Sequence, residues 1–221
     1  MNELDVFVSV GGTATDKQEA FVRAVEDRLR SEGLVPHTVG RNTFSSDAPL
    51  KTVTELMDKC SGTVVIALER MYFAEGFDKR GGEKQKALSD VKLATPWNQI
   101  EAAMAYSHDH PLLMVVEEGL KSEGLLERGY DWYVQWVQLD TASLNSVEFN
   151  GVLASWKSKI SESHKQKQER KSPSAEIDPT QLTIGQLISG LKPAQLWSIL
   201  VILGGLIAGS FALGAKLIGG T

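Results

Sequence analysis

The chain has 221 residues, 42% of them hydrophobic and 23% charged, with a formal charge of -5. Those fractions belong to a folded globular protein and exclude a disordered or collagen-like chain. A mildly acidic chain carries no overall electrostatic footprint for nucleic acid, so none is expected as a partner.

Leu4-Asp5-Val6-Phe7-Val8-Ser9-Val10 reads as a buried strand running into Gly11-Gly12-Thr13-Ala14-Thr15. A helix follows from about Asp16, with Phe21, Ala24, Val25 and Leu29 at helical spacing and Gly33 as its stop. Leu34 to Val39 is a second short strand, and residues 40–47 form a polar loop. Pro49 opens a helix whose inner face is Leu50, Val53, Leu56, Met57 and Cys60. Cys60 is the one cysteine of the chain, so no intrachain disulfide forms; it reads as a small core residue. Thr63 to Leu68 is a continuous apolar strand, the mark of a parallel sheet covered on both faces. Glu69 to Ala94 reads as one long charged loop. Thr95-Pro96-Trp97 caps and opens a third helix, with Ile100, Ala103 and Met104 as its core stripe. Leu112 to Val116 and Trp132 to Leu139 are further strands, and Leu144 to about Lys165 a last helix. This rhythm predicts an α/β domain over residues 1–164, doubly wound around a mainly parallel sheet of four to five strands.

Residues 165–180 read as a polar linker and 181–194 as a short amphipathic segment. Leu196 to Ala215 then runs for 20 residues without a charge. As a helix it spans roughly 30 Å, the hydrocarbon thickness of a bilayer. One transmembrane helix over 195–217 is therefore expected, a single-pass C-terminal tail anchor in the lipid bilayer of the cell inner membrane, with the domain in the cytoplasm. Gly205 and Gly209, four apart, suit close approach of two such helices and hence a homo-oligomer. The acidic start Met1-Asn2-Glu3-Leu4-Asp5 lacks the basic and then apolar pattern of a cleavable signal peptide.

Open α/β sheets bind ligands outside the carboxyl ends of their strands. At that edge Glu101 is the sharpest candidate. It stands one helical turn after Trp97, at the border of the core stripe. A carboxylate beside an aromatic wall suits cleavage of an N-glycosidic bond, where it stabilises or attacks an oxocarbenium ion on the sugar. The alternative is a solvent-facing helix glutamate. Gly11 and Gly12 let backbone N–H groups approach a phosphate or ribose, or simply make a tight turn. Arg41 suits a phosphate, or is a solvated loop arginine. Glu117 can accept from ribose hydroxyls, or belongs to an exposed acidic loop. His108-x-His110 lacks a third ligand, so no metal is expected.

The runs Asp5 to Val10, Thr63 to Leu68, Pro96-Trp97-Asn98-Gln99-Ile100-Glu101-Ala102-Ala103-Met104-Ala105-Tyr106 and Pro111 to Val116 resemble two related groups. One is the TIR domains, whose Trp-x-x-x-Glu-like helix start holds the glutamate of NAD-cleaving members. The other is the nucleoside 2-deoxyribosyltransferase-like domains, whose nucleophilic glutamate heads a similar helix. The resemblance spans about residues 4–140. It implies a TIR- or flavodoxin-like fold, Glu101 as the catalytic residue, and Ser9, Gly11 and Gly12 as the loop facing the ligand, with Trp97 beside it. No cofactor is implied; NAD or a related nucleotide would be substrate. The chain departs from the deoxyribosyltransferase pattern: Thr95-Pro96-Trp97 stands in its Gly-Thr place, and the nearest acidic partner, Asp90, is eleven residues away. Base exchange therefore ranks last. The resemblance implies a membrane-anchored, self-assembling effector of bacterial antiphage defence that cleaves NAD. The alternative is a non-catalytic nucleotide- or protein-sensing module whose membrane segment carries the effect.

Overall fold

The computed structural model describes residues 3–130 and 132–171. The strands are β1 (Leu4–Val10), β2 (Leu34–His37), β3 (Thr63–Ala67), β4 (Met71–Asp78), β5 (Lys86–Leu93), β6 (Leu112–Glu117) and β7 (Tyr133–Val137). The helices are α1 (Asp16–Ser31), α2 (Pro49–Lys59), α3 (Pro96–Ser107) and α4 (Val147–Lys171). Five strands form one sheet in the order β2-β1-β3-β6-β7, every neighbouring pair parallel. The doubly wound α/β domain expected from the strand rhythm is therefore present, with five strands.

Alternation along each strand explains the winding. Val6 and Val8, Val64 and Ile66, and Leu113 and Val115 face one side, where they pack on Phe21, Val22, Val25 and Leu29 of α1 and on Phe149, Leu153, Trp156 and Ile160 of α4. Residues of opposite parity face the other side. Phe7 packs there with Val53, Leu56 and Met57 of α2, Cys60 and Ala105 of α3. Val65, Ala67, Met114 and Val116 pack with Ala102. Cys60 is fully buried, and burial pushes its thiol up to about 12, so it is a core residue and no nucleophile.

Local chemistry sets the helix ends. The Thr15 hydroxyl accepts the Gln18 N–H at the start of α1, and Gly33, at φ +78°, turns the chain away beyond its end. Thr95 caps α3 and Pro96 takes the first helical position.

Four expectations change. The segment 69–94 is not one loop: β4 and β5 pair as an antiparallel hairpin. Its strands are mostly exposed, so no buried apolar run announces them. Leu50 is exposed and stands outside the α2 core cluster, while the other expected α2 core residues are buried. The stripe of α3 that faces the core is Asn98, Glu101, Ala102 and Ala105, where hydrophobicity alone predicts Ile100, Ala103 and Met104. The two alanines let the helix sit close to β3 and β6, and that rotation carries Asn98 and Glu101 inward while Ile100 and Ala103 face out. Finally, α4 continues to Lys171, past the expected end near Lys165.

The transmembrane helix expected over 195–217, with its Gly205 and Gly209, lies outside the described residues, as do the amphipathic segment and most of the linker. Among the described residues no helix is long and apolar enough to cross a membrane.

Gly62, just before β3, marks the tightest contact of α4 with the sheet. An added Cβ would stand 2.8 Å from Ile160 Cγ1 and 3.2 Å from the Pro111 carbonyl oxygen. Gly62→Ala is expected to destabilise the domain by about 1–3 kcal/mol through overpacking, read as a lower urea midpoint at unchanged slope.

Candidate functional site

The strand order places a topological switch point between β1 and β3. The chain leaves β1 toward α1 on one face and leaves β3, by way of the hairpin, toward α3 on the other. The loops diverge there and open a crevice at the carboxyl edge. The loop after β1 supplies Gly11 and Gly12, the loop after β3 supplies Leu68, Glu69 and Arg70, and the start of α3 supplies Thr95 and Asn98. These residues line a small cavity of about 10 Å³. An open cleft of about 480 Å³ takes in Lys17, Gln18, Glu69, Arg70, Glu117, Glu118 and Gln138.

Gly11 has a steric reason to be glycine. A Cβ on it would stand 2.9 Å from Thr95 Cγ2, so the first loop lies directly on the cap of α3. Gly12 is unconstrained: a Cβ there meets nothing nearer than Arg70 Nη1 at 4.0 Å.

Below this edge sits the sharpest feature of the domain. Ser9 shares a face of β1 with Phe7, so alternation turns it toward α3, where it is 1% exposed. Asn98, also 1% exposed, donates from Nδ2 to Ser9 Oγ at 3.1 Å and to the Ile66 carbonyl at 3.4 Å. Glu101 follows one turn later and is 9% exposed. Burial pushes its carboxyl above the usual carboxylate range, and a hydrogen bond from the Ser9 hydroxyl opposes that rise. The Ile66 carbonyl and Ser9 Oγ both take protons from Asn98.

The remaining residues singled out in the sequence are placed as follows. Trp97 lies at the first turn of α3, 42% exposed, and lines neither cavity. Glu101 likewise lines neither; it stands behind Ser9 and Asn98. Glu117 accepts the Glu69 N–H at 2.7 Å, so part of its capacity holds the loop after β3 in place. Arg41 is held away from the crevice. Both its terminal nitrogens donate to Glu19, at 2.9 and 3.0 Å, and its Nε lies 3.5 Å from Glu26. The Arg41 guanidinium, with help from Thr13 and Arg23, lowers the Glu19 carboxyl to about 2. The structure thus brings Gly11 and Gly12 to the small cavity and Glu117 to the cleft, buries Ser9 and Glu101 outside both, and pairs Arg41 with Glu19.

Two site residues carry no signal that sequence reading could have used. Arg70 borders both cavities, and among the described residues its side chain has no hydrogen bond or ion pair. It lay inside the segment read as a loop. Asn98 reads as an ordinary helix residue until α3 is seen to rotate inward. His110, by contrast, belongs to the opposite edge. Its ring bonds Thr63 Oγ1 at 3.1 Å and Lys167 Nζ at 3.2 Å, and burial with the nearby Lys167 lowers it to about 4.

No protein-family model matches the chain, and no curated protein matches it. Among solved structures, the CMP N-glycosidase BcmB of Clostridium botulinum is similar, at 14% identity and a TM-score of 0.37, over 63% of this chain and 92% of that one. A likeness that distant says nothing about the chemistry of this site.

The raised Glu101 carboxyl has a consequence for stability. A carboxyl whose pKa is higher folded than unfolded binds its proton more tightly in the fold, so stability falls as pH rises above the unfolded value near 4.5. Glu101→Gln, which removes the ionisation, is expected to raise the melting temperature at pH 7.5, with the gain shrinking toward pH 4. A thermal-unfolding series over pH 4 to 8 reads it.

Proposed function

We propose that the switch-point crevice binds a nucleotide and that Glu101 serves cleavage of its N-glycosidic bond, with NAD or a related nucleotide as the substrate class. The observation that supports this most is a buried carboxylate, raised by desolvation, next to the crevice and held through Ser9 and Asn98. As the base departs, positive charge develops on the sugar. A carboxylate in a low-dielectric setting stabilises that charge strongly, or attacks the anomeric carbon and is released by water. Ser9 keeps the carboxylate oriented and favours its ionised form. Arg70, bordering both cavities and without a side-chain partner among the described residues, suits a substrate phosphate as a planar fork of donors. Glu117 and Glu118, at the open cleft, suit hydroxyl groups farther along the substrate.

A binding-only reading draws on one specific observation: Glu101 lines neither cavity. On that reading the crevice senses a nucleotide and no bond breaks. Release of free base separates the two. The full-length protein in membranes, incubated with NAD and with a panel of nucleoside monophosphates, is expected to liberate base, and Glu101→Gln to reduce the rate about a thousandfold or more while remaining folded. Base release undiminished in folded Glu101→Gln would falsify the catalytic reading; absence of release with retained binding leaves the sensing module standing.

Two further variants bear on roles. Ser9→Ala removes the hydrogen bond that favours the carboxylate, so the acid limb of the pH–rate profile is expected to move to higher pH. Arg70→Ala is expected to raise KM about tenfold with kcat little changed. Arg41→Ala should leave KM near that of the parent and lower stability instead, mainly above pH 4.5, because Glu19 loses the partner that holds its carboxyl down.

The setting we propose rests on the sequence of 196–215 alone: a membrane anchor holding the domain at the inner membrane, where self-association through the domain and Gly205/Gly209 would suit a defence effector. Sedimentation with membranes after a high-salt, alkaline wash is expected for the full chain. Loss of the chain to the wash supernatant would remove the anchor from the proposal.

A further inference from the structure

The small cavity at the base of the crevice holds about 10 Å³. That is room for one water or one hydroxyl oxygen, and too little for a phosphate or a ring. One of its walls is Asn98. Both Nδ2 protons of that side chain are committed, to Ser9 and to the Ile66 carbonyl. Its Oδ1 is buried and has no hydrogen-bond partner among the described residues. The amide cannot simply be turned over, because Oδ1 would then face the Ile66 carbonyl, acceptor against acceptor. A buried acceptor left open beside a hydroxyl-sized space is a feature that folded proteins rarely retain without a use.

We infer that this niche is a sugar-hydroxyl subsite, in which Asn98 Oδ1 accepts a hydrogen bond from the 2′-hydroxyl of a ribonucleotide, so that the protein selects ribose over 2′-deoxyribose. The inference rests on the N-glycosidic reading above and deepens it. The choice of hydroxyl follows from connectivity. Ser9 Oγ accepts from Asn98, and the same hydroxyl opposes the rise that burial gives the Glu101 carboxyl, so the open amide oxygen and the carboxylate flank one residue of β1. With the carboxylate at the anomeric carbon, the adjacent carbon bears the 2′-hydroxyl. The remaining walls agree in chemistry. Gly11 and Gly12 offer bare backbone, and Arg70, at the cavity mouth, reaches the larger cleft where a phosphate can lie. A site built to hydrogen-bond a hydroxyl rejects an analogue lacking it strongly, since the buried acceptor is then left unpaired.

The test is binding by calorimetry to full-length Glu101→Gln protein in detergent, which does not turn the ligand over. The probes are the four ribonucleoside 5′-monophosphates, their 2′-deoxy counterparts and 3′-deoxyadenosine 5′-monophosphate. At least one ribonucleotide is expected to bind about tenfold or more tightly than its 2′-deoxy form, with the 3′-deoxy compound close to its parent. Two added substitutions locate the cause. Asn98→Ala removes the acceptor. Asn98→Ser keeps a short polar side chain at the start of α3 and withdraws the acceptor from the niche. Each is expected to bring the ribose and deoxyribose affinities within about twofold.

Equal affinity for the two sugars in the parent overturns the inference and leaves the base-release reading untouched, because a ribose-indifferent enzyme still loses activity with Glu101→Gln. Discrimination that survives both added substitutions also overturns it, by assigning the choice to another group. Failure of every nucleotide to bind overturns it as well. The base-release assay on wild-type protein then decides separately whether cleavage itself stands. A parent that discriminates while Asn98→Ser, folded to the same melting temperature, does not, supports it even where Asn98→Ala fails to fold.

Discussion

A buried carboxylate has to be held, and the way Glu101 is held organises the whole carboxyl edge of the sheet. An ionisable group taken from water into the layer between helix and strand costs free energy unless a donor faces it. Here the group that opposes the cost of burial is one hydroxyl on β1, that of Ser9. Its direction is set by Asn98 on α3, and Asn98 is anchored in turn to the Ile66 carbonyl of β3. Three elements that meet at the switch point are thus tied by one line of polar groups. Loosening any of the three would leave either a carboxylate without its donor or an amide without its acceptors.

That line explains features that would otherwise be unrelated. It requires α3 to turn its Asn98–Glu101–Ala102–Ala105 stripe inward, and small residues at Ala102 and Ala105 make the close approach sterically possible. It requires the Gly11 loop to lie on the Thr95 cap with no side chain between them. Charge is partitioned around it. On the α1 side Arg41 is enclosed by Glu19 and Glu26. On the hairpin side Lys92 pairs with Glu69 at 2.7 Å, while Arg70 stands at the cleft without such a partner. Among the described residues, the edge therefore offers the Arg70 guanidinium beside the carboxylates of Glu69, Glu117 and Glu118.

The hairpin of β4 and β5 is the largest departure from a minimal doubly wound domain. It replaces the direct connection from β3 to α3, and its base is stitched to the loop after β6 by the Lys121 N–H to Lys92 carbonyl bond at 2.8 Å. Arg70 and Glu69 sit at that base, so the geometry of the cleft depends on the hairpin being formed. Sequence reading missed it for a physical reason. A two-stranded ribbon with both faces largely in water needs no buried apolar run, and Met71, Tyr72, Phe73 and Phe77 are all exposed.

The sequence by itself determined the five core strands, the places where α1, α2 and α3 begin, and the paired glycines as residues of the carboxyl edge. Each of those is written in local chemistry: β-branched runs, a capping threonine, a proline at the first turn, a strand that ends in glycine. Only the tertiary structure decided which charges are already paired and which polar atoms are left open. Arg41 is committed because Glu19, 22 residues away, comes to face it. Asn98 keeps an open acceptor because strands distant in sequence supply a hydroxyl and a carbonyl for its other end. Pairing is a property of distance in space, and no spacing along the chain encodes it once the strand order has folded residue 9 against residue 98.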